Sequence, residues 1–227
     1  MKPTILQRWR LAKGLVVVAT FASNWWLLVP WLPGIVDPRL GLFSDLEVPG
    51  AAYSSVFRGC DLFAASLFLC ALLLRGPNNG AMTRRPEFSL LVAFSVAGMM
   101  GALTPYVCAE SSSLSCRQLE WHLQLPPRHY LHIVAGVAEF LFITIAAWRI
   151  FQRTKTGPPQ LQRAAQGVII TLTVAYPALV AVYLGDYFGA FVEPVFLLSF
   201  CAVMAMEIFE PPSGELLHRQ VVASGGN

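Results

Sequence analysis

Six apolar stretches of about 20 residues each divide this chain, and no other feature of the sequence restricts its fold as strongly. They cover 15–36, 54–74, 88–107, 129–150, 165–184 and 187–208. A helix satisfies its own backbone groups, so runs of this length can cross a bilayer where no water is available. The expected fold is all-α, a bundle of about six transmembrane helices in one domain over 1–210. A flexible cytoplasmic tail is expected over 211–227. Breakers or charges fill each gap: Asp37-Pro38, Gly76-Pro77, Pro126-Pro127, Gly157-Pro158-Pro159 and Gly185-Asp186. The last gap is short enough to force the fifth and sixth helices into a tight hairpin. Only 13% of residues are charged against 56% hydrophobic, about half the charge of a soluble domain. A net charge of +3 with no basic run interleaved with aromatics excludes nucleic-acid binding as a function class.

Lys and Arg set the orientation, because they are retained on the cytoplasmic side. With the N-terminus inside, Lys2, Arg8, Arg10, Lys13, Arg75, Arg84, Arg85, Arg149, Arg153, Lys155, Arg163 and Arg219 are cytoplasmic. Arg39, Arg58, Arg117 and Arg128 fall outside, about a threefold bias. Both termini are then cytoplasmic, and the 108–128 loop is extracytoplasmic. The first apolar run is too long for a cleaved secretory signal and lacks a small-x-small site, which favours a retained signal-anchor. Trp25, Trp26 and Trp31 fit as interfacial anchors.

Cys60, Cys70 and Cys201 lie inside apolar runs and read as packing residues. Cys108 and Cys116 lie in the loop that the charge bias places outside, where disulfides persist. A Cys108–Cys116 bridge is expected there, the alternative being two free thiols.

Charged groups at bilayer depth cost several kcal/mol unless they meet a partner or water, so they are functional candidates. Ser54, Arg58 and Asp61 share one face of the second helix, and His129, His132, Gly136 and Glu139 share one face of the fourth. Asp61 and Glu139 would lie roughly 12–15 Å below the outer surface, and Glu193 of the sixth helix about 9 Å. The pattern suggests a polar cavity opening outward. Simpler readings stand beside it: an Arg58–Asp61 ion pair, an interfacial His129, and a protonated Glu139 bonded to a backbone carbonyl. Glu207 would reach the headgroups, and Asn24 would be a packing hydrogen-bonder. His122, His129 and His132 cluster closely enough to suggest a zinc site, with a carboxylate nearby and an open position for water.

Several of these residues carry a family resemblance. Gly41-Leu42-Phe43-Ser44-Asp45-Leu46, Pro49-Gly50-Ala51-Ala52-Tyr53 and Arg58-Gly59-Cys60-Asp61 resemble an uncharacterised bacterial family catalogued as domain of unknown function 998. Thr104-Pro105-Tyr106-Val107-Cys108, Cys116-Arg117 and His129-Tyr130-Leu131-His132 resemble it too, as does Gly189-Ala190-Phe191-Val192-Glu193. Pro194 stands where the family pattern would place an Arg. The resemblance spans about 11–210 and implies a multi-pass protein of the bacterial plasma membrane. In outline that family is similar to a grouping with alkaline ceramidases and adiponectin-type receptors, which hydrolyse lipid amides with a Ser, an Asp and three His around zinc. By residue type this implies Ser44 or Ser54, Asp61, His129 and His132, with His122 as third ligand. That grouping has seven helices and His-x-x-x-His, whereas this chain has six stretches and His-x-x-His.

Three functions compete. One is a non-catalytic subunit of the cell envelope that binds lipid or a partner membrane protein. Another is a metal-dependent hydrolase, with Asp61 or Glu139 accepting a proton and Arg58, Ser44, Ser54 and Glu193 contacting substrate. The third is a small transporter, although no paired broken helices mark an inverted repeat. No nucleotide-binding loop, nucleophile elbow or haem motif appears.

Overall fold

The structure is a computed structural model that describes residues 4–35, 43–76, 85–110, 113–185 and 192–210. The 211–227 tail, the 187–191 start of the sixth stretch and part of the first outer loop lie outside these residues. Every regular element among the described residues is helical. The helices are α1 (Ile5–Ser23), α2 (Ser54–Arg75), α3 (Pro86–Leu103), α4 (Leu114–Trp121), α5 (Pro127–Thr154), α6 (Pro159–Gly185) and α7 (Glu193–Phe209), with 3-10 segments at Trp25–Trp31 and Phe43–Glu47. Among the described residues, five helical segments are long and apolar enough to cross a membrane. They are Ile5–Trp31, Ser54–Arg75, Pro86–Leu103, Pro127–Thr154 and Pro159–Ala181.

Local chemistry explains where the helices begin. Pro86, Pro127 and Pro159 each open one, since a first-turn residue needs no amide hydrogen and proline fixes a helical φ. The first helix begins at Ile5, ten residues ahead of the expected start near Leu15. A capping box is responsible: Thr4 Oγ1 accepts from the Gln7 amide at 3.2 Å, and Gln7 Oε1 accepts from the Thr4 amide at 2.8 Å. The added turns carry Lys13, whose ammonium lies 4.3 Å from the Trp9 ring centroid and 5.1 Å from that of Phe209. This helix gives way to the 3-10 segment after Asn24 instead of running unbroken to Val36.

Six of the helices pack in a closed ring in chain order: α1 on α2, α2 on α3, α3 on α5, α5 on α6, α6 on α7, and α7 back on α1. Buried side chains such as Val16, Leu72, Leu91, Ile143, Met204 and Ile208 fill the ring's interior. Large exposed apolar side chains, including Phe21, Phe63, Val134 and Leu141, face outward. In a bilayer that outer surface meets lipid.

One end of the ring is closed by ions. Arg153 reaches Glu87 and Glu207 at 2.7 Å each and Glu210 at 3.1 Å, while Arg85 reaches Glu210 at 2.8 Å. Glu207 is fully buried, so it anchors α7 to α3 and α5; it does not reach out to headgroups. We call this the basic end. At the other end Cys108 and Cys116 form the expected disulfide, with Cα atoms 5.9 Å apart. That bridge holds α4, a short helix within the segment expected to be a plain loop. Ser113 caps it by accepting from the Cys116 amide at 3.3 Å.

Candidate functional site

Toward the disulfide end the interior of the ring is hollow. A cavity of about 510 Å³ occupies the axis and is lined by residues from all six ring helices and both 3-10 segments. Its deep wall is apolar, formed by side chains such as Ala64, Phe68, Phe94, Phe140, Phe196 and Phe200. Small residues keep it open. Gly98, Gly101 and Ala102 of α3 and Gly136 of α5 all border it. At Gly98 an added Cβ would stand 2.5 Å from Glu139 Oε1, so the absent side chain is the space that the Glu139 carboxyl occupies.

Among the described residues five carboxyl side chains line the cavity, namely Glu47, Asp61, Glu110, Glu139 and Glu193, and no Lys or Arg does. Asp61 Oδ1 accepts from Trp25 Nε1 at 2.8 Å, and Glu47 and Asp61 share a side-chain hydrogen bond. Such a bond between two carboxyls requires a proton. Burial first, then the Asp61 charge, push the Glu47 carboxyl well above its ordinary range, so it is the group that holds that proton. Glu193 accepts from the Phe43 amide and, at 3.4 Å, from Ser44 Oγ, which fastens the Phe43–Glu47 segment to the start of α7. Among the described residues Glu139 has neither a hydrogen bond nor an ion pair.

His132 faces the same cavity. Its Nδ1 lies 3.0 Å from Gly101 O and 3.1 Å from Thr104 O. Carbonyls only accept, so Nδ1 carries the proton and Nε2 of the neutral ring keeps its lone pair. The Tyr106 ring lies tilted against both histidines, 4.1 Å from the His132 centroid and 4.8 Å from that of His129. Burial, followed by the nearby Glu110 charge, raises the Tyr106 phenol well above its ordinary value and keeps it protonated.

The candidate residues therefore divide. Asp61, Glu139, Glu193, Ser44 and His132 meet at one cavity. Arg58, Ser54, His122 and His129 stand away from it. Arg58 donates from Nε to Ala102 O at 3.2 Å, and no ion pair joins it to Asp61 among the described residues. Ser54 is buried at the start of α2. His129 is fully buried, with the Val107 amide donating to its Nδ1 at 3.2 Å and Glu120 Oε2 at 2.8 Å from its Nε2. Both ring nitrogens are thus committed. His122 turns back onto its own helix, its Nδ1 2.7 Å from Gln118 O. Among the described residues no three His, Cys, Asp or Glu side chains gather closely enough to hold a metal ion. This donor set does not fit the zinc site suggested by the spacing of the three histidines.

The structure adds residues that sequence reasoning did not select. Glu47 and Glu110 lie outside the apolar runs, Trp25 and Tyr106 lie inside them with no site role assigned, and all four line the cavity. The one local signal was a pair of acids close to motif residues, Glu47 two positions after Asp45 and Glu110 two positions after Cys108.

The His129 geometry has a direct consequence. His129→Ala should cost about 2–4 kcal/mol, since it leaves a buried amide and the buried Glu120 carboxyl without this partner. His122→Ala, at an exposed residue bonded only within its own helix, should leave stability unchanged. Thermal unfolding of both variants in detergent checks the contrast; equal losses would contradict a structural role for His129.

A family model described as Protein of unknown function (DUF998) matches residues 8–208. The chain is a member of the DUF998 family. No curated protein and no solved structure matches it. The DUF998 match contains every residue that lines the cavity, from Ser23 to Cys201, and both cysteines of the bridge. The chain is thus a multi-pass membrane protein of the DUF998 family.

Proposed function

We propose that this DUF998 protein is a non-catalytic membrane protein of the bacterial plasma membrane that holds an amphiphilic, lipid-like molecule in its axial cavity. The cavity carries this reading. Its volume of about 510 Å³ falls within the ~300–1,000 Å³ of small-ligand sites. Its phenylalanine-lined depth suits an alkyl chain, and its carboxyl groups suit a polar head. The basic end then faces the cytoplasm and the disulfide end faces outward, in line with the Lys and Arg bias and with the oxidising side that disulfides require. A ligand would enter from the outer leaflet.

A hydrolase would need a metal or an activated nucleophile at the same place. His132 alone of the three histidines borders the cavity, and Ser44 is engaged with Glu193. Binding requires neither a metal nor a nucleophile. The test is solvent extraction of protein purified in a mild detergent, followed by mass spectrometry. Close to one amphiphile per chain is expected, enriched over the bulk membrane lipids. A bound fraction with the composition of the bulk membrane would overturn the proposal.

A further inference from the structure

We infer that the ligand of this cavity is a cation, an amphiphile with an ammonium head and an apolar body; the inference rests on the binding function proposed above and names its ligand class. The first observation is the sign of the lining. Among the described residues, five carboxyl groups border the cavity and no Lys or Arg does. Among the described residues, Arg58 is held at Ala102 O, and Arg85 and Arg153 are spent in the ion network at the basic end. An anionic or phosphate-bearing head would meet carboxyl groups and, among the described residues, no lining Lys or Arg, in a medium where water screens little.

The second observation is Glu139. Asp61 has Trp25 and Glu47 as partners, and Glu193 has Phe43 and Ser44. Glu139 has none among the described residues, yet it lies mid-helix in α5 with its carboxyl pressed against Gly98 and open to the cavity. A carboxyl at that depth requires a proton, water or a counter-ion. A bound ammonium supplies both charge and hydrogen-bond donors. His132 Nε2, with its lone pair free, is a further acceptor on the same wall.

The third observation separates an organic cation from a metal. The acids are distributed around the cavity, and no three of them converge as one ion would require. An extended molecule can satisfy dispersed acceptors while its body lies against Phe94, Phe140 and Phe200.

The experiment uses the full chain in phosphatidylcholine nanodiscs and tritiated decanol as reference ligand, with binding to empty nanodiscs subtracted. Unlabelled decylammonium, decanol and decanoate compete for the site. Decylammonium is expected to displace the label at a concentration at least tenfold below decanol, and decanoate to require at least tenfold more. In Glu139→Gln and, separately, Glu193→Gln, the advantage of decylammonium over decanol should shrink to within threefold. Equal potency of decylammonium and decanol in the wild type would overturn the cationic ligand while leaving the amphiphile cavity standing. Absence of saturable decanol binding would overturn both. An undiminished advantage in both variants would remove these carboxyls from the recognition of charge.

Discussion

Arg153→Leu should destabilise this protein by about 3–5 kcal/mol, the largest effect expected of any single substitution away from the cavity. Arg153 contacts Glu87, Glu207 and Glu210 from one guanidinium, and two of those contacts are 2.7 Å. Glu207 is fully buried and Glu87 nearly so. Removing the cation leaves acids in an environment that penalises an uncompensated charge far more than it penalises the intact pair. Arg85 compensates only in part, since it stands 3.5 Å from Glu207. Unfolding in detergent measures the loss. Adding Glu207→Gln to Arg153→Leu should restore about half of it, because the double variant no longer strands the deepest charge. A single variant as stable as the wild type would show that the basic end does not hold the ring together.

Gly136→Phe should abolish ligand binding, with at least a tenfold fall in decanol affinity, while the protein remains folded. Gly136 lines the cavity, and a Cβ built there meets nothing within 4 Å. A large side chain can therefore project into the cavity without displacing backbone. Replacing a helical glycine also removes backbone freedom from the unfolded chain, a gain of a few tenths to about 1 kcal/mol. Gly98 is the instructive contrast: a side chain there collides with the Glu139 carboxyl itself. Binding and thermal unfolding measured on one preparation separate a blocked cavity from a damaged fold. Unchanged affinity in Gly136→Phe would place the ligand elsewhere.

Much of the fold was legible in the sequence because membrane thickness imposes a length that hydropathy reports directly. The second stretch, 54–74, became α2 at Ser54–Arg75 almost residue for residue. The start of α1 escaped because it depends on a two-residue hydrogen-bonded cap, Thr4 with Gln7, within a basic segment of low hydropathy. Part of the site was legible for a related reason. Asp61, Glu139, Glu193 and His132 interrupt apolar runs, and each of them lines the cavity. Closeness along the chain misled for His122, His129 and His132. Pro126 and Pro127 redirect the backbone between the first two, and the Gln118 carbonyl and Glu120 carboxyl claim their rings. Arg58 and Asp61 share a helix face, yet the α3 carbonyl of Ala102 draws the guanidinium away. Such choices depend on which helix packs alongside, and no periodicity encodes that.

The most direct measurement is fluorescence of Trp25, which borders the cavity and donates to Asp61. The other five of the six tryptophans are replaced by Phe, and the protein in nanodiscs is titrated with 10-bromodecanol, whose heavy atom quenches only on close approach. Quenching that saturates, and that Gly136→Phe abolishes, is the expected result of an alkyl chain entering the cavity. Quenching that rises linearly with the bromodecanol dissolved in the lipid, to the same extent in both proteins, would contradict it.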